Sequence, residues 1–249
     1  MGLSKKAVIE RFVVASDLHG DCGNQDAVDC LLDFIKFFKP DMKFFAGDLC
    51  DFRALRMQAT ESERKDRIME DFYQGTQLLQ KFKPHVFLRG NHDERLWAES
   101  RRLNGISSEW ALSGTEEIEK ECKRLHVQML PYHHKYGVYN YNELLVMHGC
   151  YAGIGCGRKY VYAYGKPVIH AHTHTLEETS VEGLESNRVC YDCGCLCNLD
   201  MEYTFAKQGV SRWENGFRVG LMFDDGSFEI GKVRKIKDTW ISTIPSIVL

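Results

Sequence analysis

An α/β fold with a parallel core is what the sequence predicts, on three observations. Short β-branched and aromatic runs recur, helical apolar spacing fills the gaps between the early ones, and each run stops at a turn carrying His, Asp or Asn. The strand-like runs are Arg11–Ala15, Met42–Ala46, His85–Leu88, Leu144–Met147 and Pro167–Ile169. Between the first two, Asp26–Phe38 has the apolar spacing of a helix, and Glu61–Phe82 reads as a longer helix ahead of the third. The stretch 95–125 reads as mostly helical without a motif, either a cap over a site or a packing layer. Gly216–Phe223, the Asp224-Asp225-Gly226 turn and Ser227–Lys235 read as an antiparallel hairpin at 216–235.

Bulk properties narrow the class. With 249 residues, 44% apolar and 27% charged, the chain is long enough for one large ordered domain spanning 1–249. A net charge of -3 gives no global attraction to nucleic acid or acidic membranes. From Met1 to Ala15 the only apolar run is Phe12–Ala15, too short for a signal-peptide core or a membrane span, so a soluble cytoplasmic protein is expected. Ten cysteines in such a protein read as small buried residues rather than a disulfide framework.

The chemistry sits at the strand ends. Open α/β sheets bind ligands beyond the carboxyl ends of their strands. In order, the turns there carry Asp17-Leu18-His19, Gly47-Asp48-Leu49-Cys50-Asp51, Gly90-Asn91-His92-Asp93-Glu94, His148-Gly149 and His170-Ala171-His172-Thr173-His174. Any one of these alone is more often loop chemistry or a hydrogen-bonded core histidine. Five in succession supply what a dinuclear metal site needs: hard oxygen and imidazole donors in two sets, and a carboxylate able to bridge. Asp17 and His19, two apart on a segment expected to be extended, point the same way, and Asp48 in its Gly-Asp turn suits the bridge.

The ordered series Asp-x-His, Gly-Asp-x-x-Asp, Gly-Asn-His-Asp, a lone His and x-His-x-His resembles the calcineurin-like metallophosphoesterases over Asp17 to His174, in particular the small stand-alone bacterial and phage-type members. Ala171 departs from the family's Gly before His172. The resemblance implies the metallo-dependent phosphatase fold, a two-sheet β-sandwich flanked by helices in α/β/β/α order. It implies two divalent ions, manganese first with iron or zinc as alternatives, held by Asp17, His19, Asp48 and His174 and by Asp48, Asn91, His148 and His172. It further implies a metal-bridging hydroxide as nucleophile, His92 protonating the leaving alkoxide, and Asp51 orienting His92. Arg53 and Arg95 are the candidates for substrate contact.

The activity expected is that of a phosphodiesterase or nuclease whose partner is a phosphoester substrate, DNA, RNA or a nucleotide. The alternative is a phosphomonoesterase of the protein serine/threonine phosphatase kind. Against it, Asp51 is followed by Phe52 and Arg53 rather than Arg-Gly. A third reading, a non-catalytic metal-binding scaffold, would be expected to have lost ligands or the acid histidine, and none is lost here. Cys190, Cys193, Cys195 and Cys197 invite a zinc reading, but they lack the two separated pairs of structural zinc sites and read as buried small residues. Basic and aromatic residues interleave at Arg53, Arg95, Trp97, Arg101, Arg102 and Trp110 and at Arg158, Lys159, Tyr160 and Tyr162. That pattern can hold single strands, although solvated helix faces and core aromatics account for each residue taken alone.

Overall fold

Alternation along the first strand sets the layers. In the computed structural model, which describes residues 6–56, 59–61, 63, 67–102, 105–183, 187–200 and 212–244, β1 (Val8–Ala15) sends Phe12 and Val14 to one side and Val13 and Ala15 to the other. All four are fully buried, so both faces of the sheet are covered. β2 (Met42–Phe45) and β3 (Val86–Leu88) repeat the pattern, with Phe44, Val86 and Leu88 facing inward with Phe12 and with Phe45 and Phe87 facing the helices.

The first sheet has seven strands. β1 to β4 (Gln128–Leu130) run parallel, and on the other side of β1 the hairpin of β10 (Gly216–Phe223) and β11 (Phe228–Ile236), followed by β12 (Thr239–Ser242), continues antiparallel. The helices α1 (Gln25–Phe38), α2 (Ile68–Phe82), α3 (Asp93–Ser100) and α4 (Ile106–Arg124) bury Leu31, Leu79, Leu96 and Ile118 in the cluster on its outer face. Asn24 starts α1 by accepting the Ala27 amide at 3.2 Å. Part of the expected 61–82 helix ahead of Ile68 lies outside the described residues. The 95–125 stretch packs through Leu96, Trp97, Ala111 and Ile118 into this core.

The second sheet is smaller. β5 (Val138–Tyr141), β6 (Leu144–Met147), β7 (Val168–His170), β9 (Arg188–Asp192) and β8 (Glu178–Val181) lie side by side in that order, with β6, β7 and β9 parallel. Val146, Ile169 and Ala171 meet Phe12, Val14 and Phe44 between the sheets. On its outer face Leu145, Met147 and Val168 meet α5 (Cys156–Tyr164) through Tyr160 and Val161. The architecture is helices, sheet, sheet, helix, as expected. Among the described residues no helix is long and apolar enough to cross a membrane.

Candidate metal centre

Five strand ends converge at one edge of the sandwich. β1 and β2 of the first sheet end at Asp17 to His19 and at Asp48, β3 at Asn91, while β6 and β7 of the second bring His148, His172 and His174. The backbone differs from the extended segment expected at Asp17 and His19. Asp17, His19, Asp48, His172 and His174 all have positive φ, from 53° to 73°. Non-glycine residues adopt this conformation at a cost that surrounding contacts must offset, and such residues cluster at functional sites. The contacts are visible: the Asp17 amide donates to Gly47 O at 2.9 Å, His19 N to Asp48 O at 3.0 Å and His172 N to Asp17 Oδ2 at 3.2 Å. The left-handed residues of the last motif are His172 and His174, so Ala171 is accommodated with its methyl buried between the sheets.

Two glycines allow the close approach. A Cβ on Gly90 would meet Asp48 Oδ1 at 2.0 Å, and one on Gly47 would meet His148 Nδ1 at 2.5 Å. Within the space they leave, Asp48 Oδ2 lies 3.8 Å from His19 Nε2 and 3.4 Å from His148 Nε2. On one side His174 Nε2 is 3.2 Å from Asp17 Oδ1 and 3.1 Å from His19 Nε2. On the other, His148 Nε2 is 2.9 Å from Asn91 Oδ1, and the His148 and His172 rings are 5.3 Å apart. All seven predicted ligands therefore meet, and Asp48 stands between the two groups.

Whether this set suits cations can be judged from its own hydrogen bonds. His148 Nδ1–H donates to Ala46 O at 2.7 Å, which leaves the Nε2 lone pair facing two oxygen acceptors, Asn91 Oδ1 and Asp48 Oδ2. Asp17 Oδ1 and His19 Nδ1 are buried without any hydrogen-bond partner. Acceptors turned on one another in a dry site call for a positive charge between them. Burial disfavours charge on His148 and His174, yet Asp48 and Asp17 beside them outweigh it and push both imidazoles up to about 9. Burial also opposes ionisation of Asp48 and Asp17, and the neighbouring imidazoles hold both carboxyls below the usual range. His172, desolvated and close to His148, is pushed down to about 4 and is thus a neutral donor. Carboxylate, amide and imidazole donors fit a hard or borderline divalent ion.

A family model described as calcineurin-like phosphoesterase matches residues 10–187. The chain belongs to that family. Among solved structures, vacuolar protein sorting 29 from Cryptosporidium parvum superposes with a TM-score of 0.52 at 11% identity, over 95% of this chain and 97% of that one. Vps29 from Chaetomium thermophilum follows at 0.46 and 12%, with 95% of each chain covered. The phosphoesterase Yfce from E. coli gives 0.39 and 12%, over 88% of this chain and 96% of that one. At these identities the first likeness shows the shared two-sheet fold. No curated protein matches the sequence.

Around the ligands, this phosphoesterase places His92 and Asp51 as a pair. His92 Nδ1 is 2.7 Å from Asp51 Oδ1, and Arg95 Nη1 donates to the same oxygen and to Asp51 O, each at 2.8 Å. Burial opposes ionisation of Asp51, but the His19 imidazole 3.6 Å away and the hydrogen-bonded His92 hold its carboxyl well below the usual range. Arg53, the other residue expected to contact substrate, makes a two-point pair with Asp21 at 2.7 and 2.6 Å. The single-strand pattern of basic and aromatic residues does not assemble as one surface: Arg101 and Arg102 pair with Glu94 and Glu99, and Tyr160 is fully buried. Three supports take on their role only in the fold. Asp71 on α2 accepts the Asp51 and Phe52 amides, Asp93 accepts those of Cys50 and Gly90, and Cys197 Sγ lies 3.8 Å from His174 Nδ1. Acidic residues early in a helix look like ordinary helix chemistry, so only the fold reveals the first two.

Proposed function

We propose that this phosphoesterase hydrolyses phosphodiesters, in nucleic acid or a nucleotide, with two divalent ions of which manganese is the first choice. Asp17, His19, Asp48 and His174 would hold one and Asp48, Asn91, His148 and His172 the other. The observation that carries the reading is the position of Asp48 Oδ2, within 3.8 Å of an imidazole nitrogen in each group. Bound there, two such ions would supply Lewis acidity, lowering the pKa of a shared water and offsetting charge on the phosphoryl group.

The chain's own residues do the rest. Asp51 accepts Nδ1–H of His92 and fixes the ring, so that an imidazolium presents Nε2–H towards the leaving oxygen. Nε2 lies 3.9 Å from Asp48 Oδ2, at the edge of the ligand cluster. Arg95 holds Asp51 from the other side, and its Nη2 lies 3.3 Å from His92 Nε2, where it could also donate to a phosphoryl oxygen. Diester over monoester is favoured by a cavity of about 300 Å³ beside His148, lined by Arg89, Tyr132, His133 and Tyr164. It offers room for a substituent that a monoester does not need.

The test is turnover of bis-p-nitrophenyl phosphate against p-nitrophenyl phosphate by manganese-loaded protein. The diester should be preferred, and His92→Ala should keep its metal while losing about 100-fold or more in kcat. Asp48→Asn should lose at least one ion by elemental analysis. Preference for the monoester would replace this reading with a phosphatase, and a fully loaded protein that turns over neither would point to the scaffold.

A further inference from the structure

A second set of metal-ligating side chains lies on the outer side of the second sheet, apart from the cluster at the strand ends. Cys156, His170 and Asp192 are all buried, and one potential ligand atom from each falls within 4.8 Å of the others. Three elements supply them: Cys156 opens α5, His170 closes β7 and Asp192 closes β9, opposite His170 in the parallel register.

The hydrogen bonds of His170 set the problem. Its Nδ1–H donates to Ala171 O at 2.7 Å, so the lone pair of the neutral ring is on Nε2. That nitrogen is 2.8 Å from Asp192 Oδ1, yet it is buried and makes no hydrogen bond. At so short a separation only misalignment prevents one, so the carboxylate oxygen lies off the axis along which a ring N–H would point. A neutral ring and a carboxylate so placed in a dry interior need a positive charge between them, which either a proton or a metal ion can supply. The other oxygen, Asp192 Oδ2, accepts the hydroxyls of Thr173 and Thr175. An imidazole tied through Nδ1–H to a carbonyl and a carboxylate steadied by hydroxyls are the outer partners typical of metal ligands. Cys190, two residues before Asp192 on the same strand face, is buried on that side of the sheet as well.

We propose that Cys156 Sγ, His170 Nε2 and Asp192 Oδ1, with Cys190 Sγ in the fourth position, form a structural zinc site. Two sulfur donors and one imidazole select zinc over manganese, and four protein donors leave no open position for substrate. The ion binds as Cys156 and Cys190 release their thiol protons, and it joins α5 to β7 and β9. β7 runs directly into His172 and His174, so the site fixes the strand that carries two candidate ligands of the other centre. This differs from a zinc site made by the crowded cysteines Cys190 to Cys197. Those do not share one centre: Cys193 donates to Val14 O at 3.0 Å, while Cys195 and Cys197 pack together with Cys22 and Cys197 lies beside His174.

Cobalt separates the two centres, because only thiolate ligands give a sulfur-to-cobalt charge-transfer band. The whole protein, produced with cobalt in zinc-depleted medium, should show that band, and the zinc-grown protein should retain one zinc per chain after chelation removes the more accessible ions. Cys156→Ser should lose both the band and the retained zinc, whereas Asp48→Asn and Cys197→Ser should keep both. If Cys156→Ser does not fold, the wild-type spectrum and zinc count decide alone. A wild type without the band and without retained zinc overturns the proposal and leaves His170 and Asp192 as a buried ion pair. A band lost in Cys197→Ser but kept in Cys156→Ser overturns it too, by moving the sulfur ligand to the strand-end centre.

Discussion

Asp71 illustrates how a single side chain can prepare a site without entering it. Its two oxygens accept the amides of Asp51 and Phe52 at 2.9 and 2.5 Å, fixing the turn from which Asp51 reaches His92. Burial raises its pKa to about 7, above an unfolded value of about 3.9, even though the two amides favour the carboxylate. The native state therefore binds the extra proton between those two values. The stability this group contributes is complete below about pH 4 and is lost as pH rises through about 7. Asp71→Asn, which keeps an oxygen for one of the amides, should flatten that fall. The measurement is urea unfolding at several pH values between 4 and 8, and parallel curves for the two proteins would remove Asp71 from the titration. Other local features were readable because they are chemical: Asp, His and Asn at strand ends name themselves. The left-handed backbone at Asp17, His19 and His172 was not, since residue type alone favours glycine there and only the converging contacts stabilise the alternative.

Between elements, Arg218 of β10 joins the two sheets. It has no exposed surface, yet Nε donates to Asp192 O at 2.8 Å, and Nη2 donates to Leu176 O and Glu177 O at 3.1 and 2.7 Å. Nη1 pairs with Glu178 at 2.7 Å. The charge is thus matched by carbonyls at the ends of β8 and β9 and by one carboxylate. Arg218→Met would fill much of the volume but leave Asp192 O without its guanidinium donor, while Glu177 O keeps the Asp192 amide and Leu176 O keeps Lys232 Nζ, at about 1–3 kcal/mol for a group left buried and unsatisfied. A loss on the order of 2 kcal/mol in chemical denaturation is expected, and a change under about 1 kcal/mol would show that water replaces the guanidinium. The sequence could not signal this. An arginine in an antiparallel hairpin reads as the solvent side of the strand, and here that side faces the entry to β8 and the end of β9. For the same reason β5, β8 and β12 escaped the sequence reading, since edge strands such as Glu178–Val181 mix exposed polar and buried positions and lack a strong apolar run. The central strands were legible because burial on both faces demands continuous apolar residues.

At the scale of the whole molecule, the candidate centre is a seam. Asp17, His19, Asp48 and Asn91 come from the first sheet and His148, His172 and His174 from the second, so ions bound there connect the two halves of the sandwich. Without them, buried Asp17 and Asp48 depend on protons held by His174 and His148, and those protons leave as pH rises past about 9. Divalent ions that bind the native state but not the unfolded chain add about 4 kcal/mol per site at a free concentration about a thousand times Kd. In a chain of this size each kcal/mol raises Tm by roughly 2–4 °C. Manganese added to chelator-stripped protein should therefore raise Tm by about 10 °C or more, and Asp48→Asn, which removes the shared carboxylate, should lose at least half of that rise. Calorimetry at fixed free manganese makes the comparison. A wild-type Tm that does not respond to the ion would mean that the sheets are held together without it, and the seam would then have to be explained by protons and hydrogen bonds alone.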